Sequence, residues 1–365
     1  MLVQYCYHSL FLIIDLILLR FIWRSSYTPI LHFLLLIEQG LIAAPLFALI
    51  ISKLFEGTAD QNLAAHGLAW HGTFFLFASA ALMYRQRRAN GKRRRVIPSF
   101  ILLIGCTYFA IVIDALLIEP TALVIRETTI TTSKVSKPIT IVFCSDLQAD
   151  QVGDYERQTL QKIKEQNADL ILFGGDYVQG KTEEMESELL KDWNRLFREV
   201  DLHAPLGVFA VQGNKEFFLP WKEMFVGTAI APYDRTISNE IGEIRVTFLS
   251  IHDSMRACSC PDKKWQGQFR IMVGHMPGFA MADQQADLLL AGHTHGGQIQ
   301  LPYFGPLITN AGKLPRRWAS GITHLPDGGT LIVSHGSGMQ RHPAPRIRFF
   351  CRPDFWVIHI VPGQQ

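Results

Sequence analysis

The segment Leu288-Leu289-Leu290-Ala291-Gly292-His293-Thr294-His295-Gly296-Gly297-Gln298 decides how this chain is read. An apolar run that breaks at glycine into two histidines two apart describes a buried strand whose end delivers a pair of imidazoles. Four upstream runs end in a similar way. Ile139 to Phe143 leads into Ser145-Asp146-Leu147-Gln148, and Leu170 to Phe173 into Gly174-Gly175-Asp176-Tyr177. Val208 to Val211 gives way to Gln212-Gly213-Asn214-Lys215, and Ile271 to Val273 to Gly274-His275. Five strand ends thus carry Asp, Asp, Asn, His and His-x-His, oxygen and nitrogen donors suited to divalent cations. Between them, Tyr155, Leu160 and Ile163 in Asp154 to Gln166, and Leu189, Leu190, Trp193, Leu196 and Phe197 in Glu183 to Val200, have helical spacing. Strands alternating with amphipathic helices give an α/β domain that begins as a βαβ unit.

This order of blocks resembles the calcineurin-like metallophosphoesterases, whose signature runs Asp-x-His, Gly-Asp, Gly-Asn-His, His and Gly-His-x-His. The resemblance covers Ile139 to Ile360 and is nearest to the membrane-associated branch, in which a membrane segment precedes the phosphoesterase domain. It implies a four-layer αββα sandwich, two divalent metal ions, and cleavage of phosphoester or pyrophosphate bonds by a hydroxide bridging the metals. Carried across by position, Asp176 bridges the ions, while Asn214, His275 and His293 complete one site. Asp146, Gln148 and His295 join Asp176 in the other. Gln148 stands where the family has histidine, and its harder, weaker oxygen donor favours Mn, Fe or Mg over Zn. Lys215 stands where the Gly-Asn-His histidine is expected. It joins Asn214 and Asp176 as a catalytic candidate, either protonating the leaving oxygen or holding the phosphate as a fixed charge. His203, His252, His324, His335 and His342 match no ligand position, although His335 in Ser334-His335-Gly336 has a place open to it beside the cleft.

Composition divides the chain near residue 118. Residues 1–118 carry ten Lys and Arg against five Asp and Glu, whereas 119–365 carry 25 against 27, so the overall +3 is no nucleic-acid footprint. Leu10 to Trp23, Ile30 to Leu54, Leu63 to Tyr84 and Ile97 to Ile118 are apolar runs, and a hydrocarbon core needs about 20 residues. The first is short and holds Asp15 and Arg20, which leaves three or four spans. The organisation expected is a transmembrane helical region at 1–118, a linker at 119–138 that is an extended connector or an edge strand, and a phosphoesterase domain at 139–365. The cationic run Arg85 to Arg95 belongs in the cytoplasm by the positive-inside rule, which puts the domain on the extracytoplasmic side of a membrane, a bacterial inner membrane being the expected one. Asp15, Glu38, His32, His66, His71 and Asp114 mark a pathway or, more simply, are bundle-facing or interface-facing polar residues of the helices.

No disulfide framework or zinc-ribbon spacing is present. Cys258, Cys260 and Cys351 are the cysteines open to pairing. Anchoring points to a lipid-linked substrate or a small phosphorylated molecule near the bilayer, with no nucleic-acid or protein partner expected. Trp221, Met224, Phe225, Phe217 and Phe218 form either an apolar lip for acyl chains or part of the core. The rival to an enzyme is a metal-binding sensor or scaffold, motivated by the loss of two histidines at once.

Overall fold

The computed structural model describes residues 2–24, 29–56, 61–89, 96–180, 182–257, 267–282, 285–306, 309, 314–338 and 346–363. His342, Cys258, Cys260 and residues 90–95 of the basic run lie outside them, and the side chain of His32 is likewise not described. The chain divides into a helical unit, Met1–Ile118 with Arg341–Ile347, and an α/β unit, Glu119–Gln340 with Arg348–Gln365.

The helical unit contains α1 (Leu2–Arg24), α2 (Pro29–Glu38), α3 (Ala44–Glu56), α4 (Gln61–Ala89) and α5 (Val96–Ile113). A π-turn at Gln39–Ala43 joins α2 to α3 into one run, and another at Asp114–Ile118 extends α5. Two stretches, Leu34–Ile51 and Val96–Thr121, are long and apolar enough to cross a membrane. The runs expected at Leu10 to Trp23 and Leu63 to Tyr84 are helical, but among the described residues only those two stretches, Leu34–Ile51 and Val96–Thr121, meet the measure, so three or four spans are not supported. Several polar residues of this unit turn inward, where a buried polar group needs a partner. Asp15 is buried and pairs with His71 Nδ1 at 2.5 Å, and Gln39 Nε2 donates to its other oxygen at 3.5 Å. Asp15 and His71 line a cavity of about 760 Å³, together with His8, His66 and Trp70.

The α/β unit opens with β1 (Val124–Thr132), β2 (Ile139–Cys144), β3 (Leu170–Phe173), β4 (Val208–Val211) and β5 (Ile230–Tyr233). A second sheet collects β6 (Ile237–Ile241), β7 (Ile244–Phe248), β8 (Phe269–Val273) and β9 (Leu288–Ala291). A small hairpin, β10 (Gln300–Leu301) with β11 (Gly305–Pro306), precedes β12 (Gly321–His324) and β13 (Thr330–Val333), which complete the second sheet in the order β12-β13-β9-β8-β7-β6. The last strand, β14 (Asp354–Pro362), returns to the first sheet, whose order is β1-β14-β2-β3-β4-β5. The strands β2 to β5 are mutually parallel, and so are β7, β8, β9 and β13, so their C-terminal ends gather along one edge of each sheet.

The period-two alternation of these strands builds the layers. Ile141 and Phe143 of β2, Leu170 and Leu172 of β3, Ile271 of β8, and Leu288 and Leu290 of β9 enter one buried cluster between the two sheets. Val142, Ile171 and Phe173 point the other way, against Leu160 and Ile163 of α6 (Asp154–Glu165) and Leu189, Trp193 and Phe197 of α7 (Glu183–Val200). Each such side chain contributes ~1.5–3 kcal/mol by leaving water. The outer face of the second sheet packs Met272, Leu289 and Leu331 against Leu249, Phe279 and Trp318. Its cover is thinner, consisting of single helical turns at Pro277–Met281 and Arg316–Ala319 beside the five-residue α8 (Ile251–Met255).

Within 119–138, β1 is an edge strand parallel to β14. The segment Ile347 to Cys351 forms no strand. Arg348 is fully buried there and donates to the carbonyls of His335 at 2.9 Å, Gly336 at 3.1 Å and Cys351 at 2.8 Å. The segment is thus a loop clamped by one guanidinium, with a lone bridge from Phe349 to Ile299.

Candidate metal centre

Each expected donor sits just beyond the end of a parallel strand, where the backbone turns sharply. Eleven described non-glycine residues have positive φ, and five of them are Asp146, Gln148, Asp176, His293 and His295. Strain collected on one set of polar side chains marks a site whose geometry the surrounding packing imposes. Glycines make the approach possible. A Cβ on Gly292 would stand 1.9 Å from Ser145 Oγ and 2.1 Å from Asp146 Oδ2, and one on Gly213 2.1 Å from Asp176 N.

Asp176, His275 and His293 present ligand atoms that all lie within 4.8 Å of one another. His275 is fully buried, and its Nδ1 faces the carbonyl of Gly174 at 2.8 Å. That bond assigns the proton to Nδ1 in the neutral ring and turns the Nε2 lone pair inward. There Nε2 meets Asp176 Oδ2 at 3.3 Å and Asn214 Oδ1 at 3.1 Å. Asp176 Oδ1 accepts the Lys215 N–H at 2.9 Å, so the Asn214 turn is fastened to the carboxylate beside it.

Asp146 accepts the His293 N–H with both oxygens at 3.0 Å, and its Oδ1 lies 3.7 Å from His295 Nε2. Gln148 is buried, with its amide nitrogen donating to Gln179 Oε1 at 2.6 Å. Its carbonyl oxygen and His295 Nδ1 are buried atoms with no hydrogen-bond partner among the described residues. Two orphaned polar atoms at this place fit the need for cations, since such atoms otherwise cost about 1–3 kcal/mol each.

The charges are strongly coupled. Burial pushes the Asp146 carboxyl up to about 6, partly offset by His275. Burial also opposes ionisation of Asp176, but the His275 ring, the Lys215 N–H and His293 together outweigh that and hold its carboxyl well below the usual range. For His275 burial works against the charged form, yet Asp176 and Asp146 raise it to about 9 in the metal-free site. Burial holds His295 well below the ordinary imidazole value, with the Arg348 guanidinium acting in the same direction.

Glu216 is the residue the sequence did not reveal. It is fully buried and its carboxylate accepts four backbone N–H groups, from Tyr177 at 2.7 Å, Asp176 at 3.0 Å, Gly213 at 3.1 Å and Val178 at 3.2 Å. One side chain thereby holds the Asp176 turn and the Asn214 turn together. Burial and the Asp176 charge push its carboxyl up to about 8, while the Tyr177 N–H pulls it down. The one available signal was an acidic residue directly after a strand-end glycine turn.

Other expectations are redistributed. Trp221, Met224 and Phe225 are core, with Trp221 stacked on Tyr177 at 5.9 Å, while Phe217 and Phe218 alone stand exposed near Asn214. His335 packs against the site from behind, with Nδ1 2.9 Å from the Arg352 carbonyl and 3.5 Å from Asp354. Cys351 is buried and free.

Residues 139–297 match the family model described as calcineurin-like phosphoesterase. A protein of Bacillus subtilis, the uncharacterized metallophosphoesterase YkuE, is 30% identical over 215 residues, covering 53% of this chain and 68% of that one. The chain belongs to the calcineurin-like metallophosphoesterases. It is a metal-dependent phosphoesterase. A Helicobacter pylori metallophosphoesterase is 25% identical over 257 residues, which are 66% of this chain and 65% of that relative. Among solved structures, a dimetal phosphatase from Danio rerio aligns with TM-score 0.34 and 9% identity over 55% of this metallophosphoesterase and 88% of that chain. A purple acid phosphatase from yellow lupin gives 0.35 and 13% over 57% and 45%.

Proposed function

We propose that this protein is a membrane-anchored phosphohydrolase that cleaves a phosphoester or pyrophosphate bond of a lipid-linked substrate. The observation that carries the reading is the gathering of Asp176, His275 and His293 ligand atoms within 4.8 Å at buried strand ends. Asp176, Asn214, His275 and His293 would hold one divalent cation, and Asp146, Gln148, His295 and Asp176 a second. When bound, the pair supplies a nucleophilic water and charge compensation for the transferring phosphoryl group. Gln148, an oxygen donor, favours Mn, Fe or Mg over Zn.

The chain's own residues prepare that chemistry. The Gly174 carbonyl fixes the His275 tautomer, the His293 N–H orients Asp146, and Glu216 keeps two ligand turns in register. Lys215, half-buried directly after Asn214, offers a proton or a fixed positive charge to the leaving oxygen. Phe218, 91% exposed, and Phe217 beside it offer an apolar lip to an acyl chain. The membrane part of the reading draws on the two span-length stretches and on the cationic run Arg85 to Arg95, which favours an extracytoplasmic domain. The departures at Gln148 and Lys215 motivate the second reading, a metal-binding sensor without turnover.

The test is manganese-dependent hydrolysis of an aryl phosphodiester by the full chain, compared with Asp176→Asn. Turnover abolished by the substitution supports the phosphohydrolase. Metal bound without turnover on soluble and lipid phosphates alike would favour the sensor.

A further inference from the structure

The β10–β11 hairpin directs Leu301, Tyr303 and Phe304 outward, Tyr303 being fully exposed and Phe304 74% exposed. A second loop lies alongside. Gln300 N donates to the Phe349 carbonyl at 2.8 Å, Phe349 N donates to the Gln298 carbonyl at 3.0 Å, and the adjoining Phe350 is 60% exposed. Tyr303 has φ 69° and Phe350 φ 50°, a region that bulky side chains rarely occupy. Two aromatic residues are therefore held in an unfavourable backbone conformation while facing water. Backbone strain and exposure on the same aromatic side chains mark a contact surface.

Glu119 indicates what covers it. Its carboxylate accepts the Phe350 N–H at 3.0 Å and the Cys351 N–H, and Glu119 itself lies two residues before the end of the span-length stretch Val96–Thr121. The aromatic strip is thus tied to the point where the chain leaves an apolar stretch of bilayer-crossing length. Tyrosine on such a strip suits the boundary between headgroups and acyl chains, its hydroxyl wet and its ring dry, and the phenylalanines beside it suit the acyl side of that boundary. Cations flank it. Arg316 Nε donates to the Pro306 carbonyl at 2.5 Å, and Arg316 and Arg317 are both exposed.

We propose that the hairpin Gln300–Pro306, together with Phe350, docks into the interfacial layer of a lipid bilayer, with Arg316 and Arg317 facing lipid phosphates. The inference rests on the membrane-anchored reading above and specifies how the active site meets its substrate. Gln300 Nε2 donates to the Gly296 carbonyl at 3.0 Å and Cys351 Sγ to the His295 carbonyl at 3.2 Å. The docked loops are therefore continuous with the turn that carries His293 and His295, and the bilayer presents its amphiphilic phosphates at the mouth of the metal centre.

The test places the photoreactive residue p-benzoylphenylalanine at Tyr303 in the full chain, held in nanodiscs of phosphatidylethanolamine and phosphatidylglycerol. Irradiation is expected to yield several-fold more phospholipid adduct than the same residue at Arg195 on α7, whose side chain is 78% exposed. Equal yields at the two positions, or crosslinks from residue 303 to a second copy of the chain, would overturn the proposal. A second measurement compares Tyr303→Ser/Phe304→Ser with the parent on a bilayer-embedded phosphate ester and on a soluble aryl phosphodiester. A several-fold loss confined to the embedded ester supports docking, whereas equal activity on both refutes docking and leaves the phosphohydrolase standing. Lipid adducts at 303 in a chain that hydrolyses neither substrate support docking and refute the phosphohydrolase.

Discussion

Replacing Glu216 by Gln tests whether a buried carboxylate that touches no substrate sets the metal affinity. Its two oxygens accept four backbone N–H groups, two on Oε1 from Tyr177 and Val178 and two on Oε2 from Asp176 and Gly213. Glutamine keeps one acceptor oxygen and turns an amide NH2 toward the other two N–H groups, so two charge-assisted bonds vanish and the remaining pair loses its ionic character. At about 1.5–3 kcal/mol for each hydrogen bond to a charged group, the two lost bonds should cost roughly 3–6 kcal/mol in the metal-loaded protein, where cations offset the Asp176 charge. The cost falls on the register between the Asp176 and Asn214 turns, so a loss of about 10–100-fold in manganese affinity is expected, the size typical of residues that orient ligands. Isothermal titration calorimetry of the full chain reads this out, with circular dichroism to confirm retained structure. Affinity within threefold of the parent, in a protein of unchanged thermal stability, would refute the reasoning.

Gln148→His should restore an imidazole to the second site, raising affinity for the weaker cation and shifting preference toward zinc; two-site titration checks both, and unchanged affinity would show that Gln148 makes no contact with metal. Metal uptake should also depend on pH. His275 in the metal-free site has its pKa raised from 6.5 to about 9, so its contribution to metal-free stability is fully present below about 6.5 and is lost as pH rises through 9. Because binding requires the neutral ring, apparent affinity should rise about tenfold per pH unit over that window and level off above it, with about one proton released per metal near pH 7. Titrations in buffers of different ionisation enthalpy measure the proton count directly.

The strand ends were legible in the sequence because backbone geometry and chemistry share a signal there. An apolar run stops at glycine where chains crowd, as the close approach of Gly292 to Ser145 and Asp146 shows. Helices α6 and α7 were legible from the spacing of Leu160 and Ile163 and of Leu189, Trp193 and Phe197. Glu216 was not, because a charged residue after Lys215 in a polar turn has the pattern of a solvated surface. Its burial arises only when turns from β3 and β4 point four N–H groups at one spot. Ile347 to Cys351 reads as a short, largely apolar run like a strand, yet the carbonyls of His335 and Gly336 that pair with Arg348 come from a loop a dozen residues earlier, and no local pattern reports that. Trp221, Met224 and Phe225 have the composition of an exposed lip and become core because Tyr177 and Phe197 reach them from other elements.

The position of β14 bears on how the protein is made. This strand lies between β1 and β2, and β1 has no other neighbour in its sheet. Every candidate ligand has left the ribosome's catalytic centre once residue 295 is added, but the first sheet lacks an interior strand until residues 354–362 follow. During that interval β1, continuous with the apolar stretch before it, has nothing in its own sheet to pair with, and the exposed edge of β2 is open to other chains. A stop codon before residue 354 would spare the whole ligand set and still leave a nascent chain unable to close its sheet.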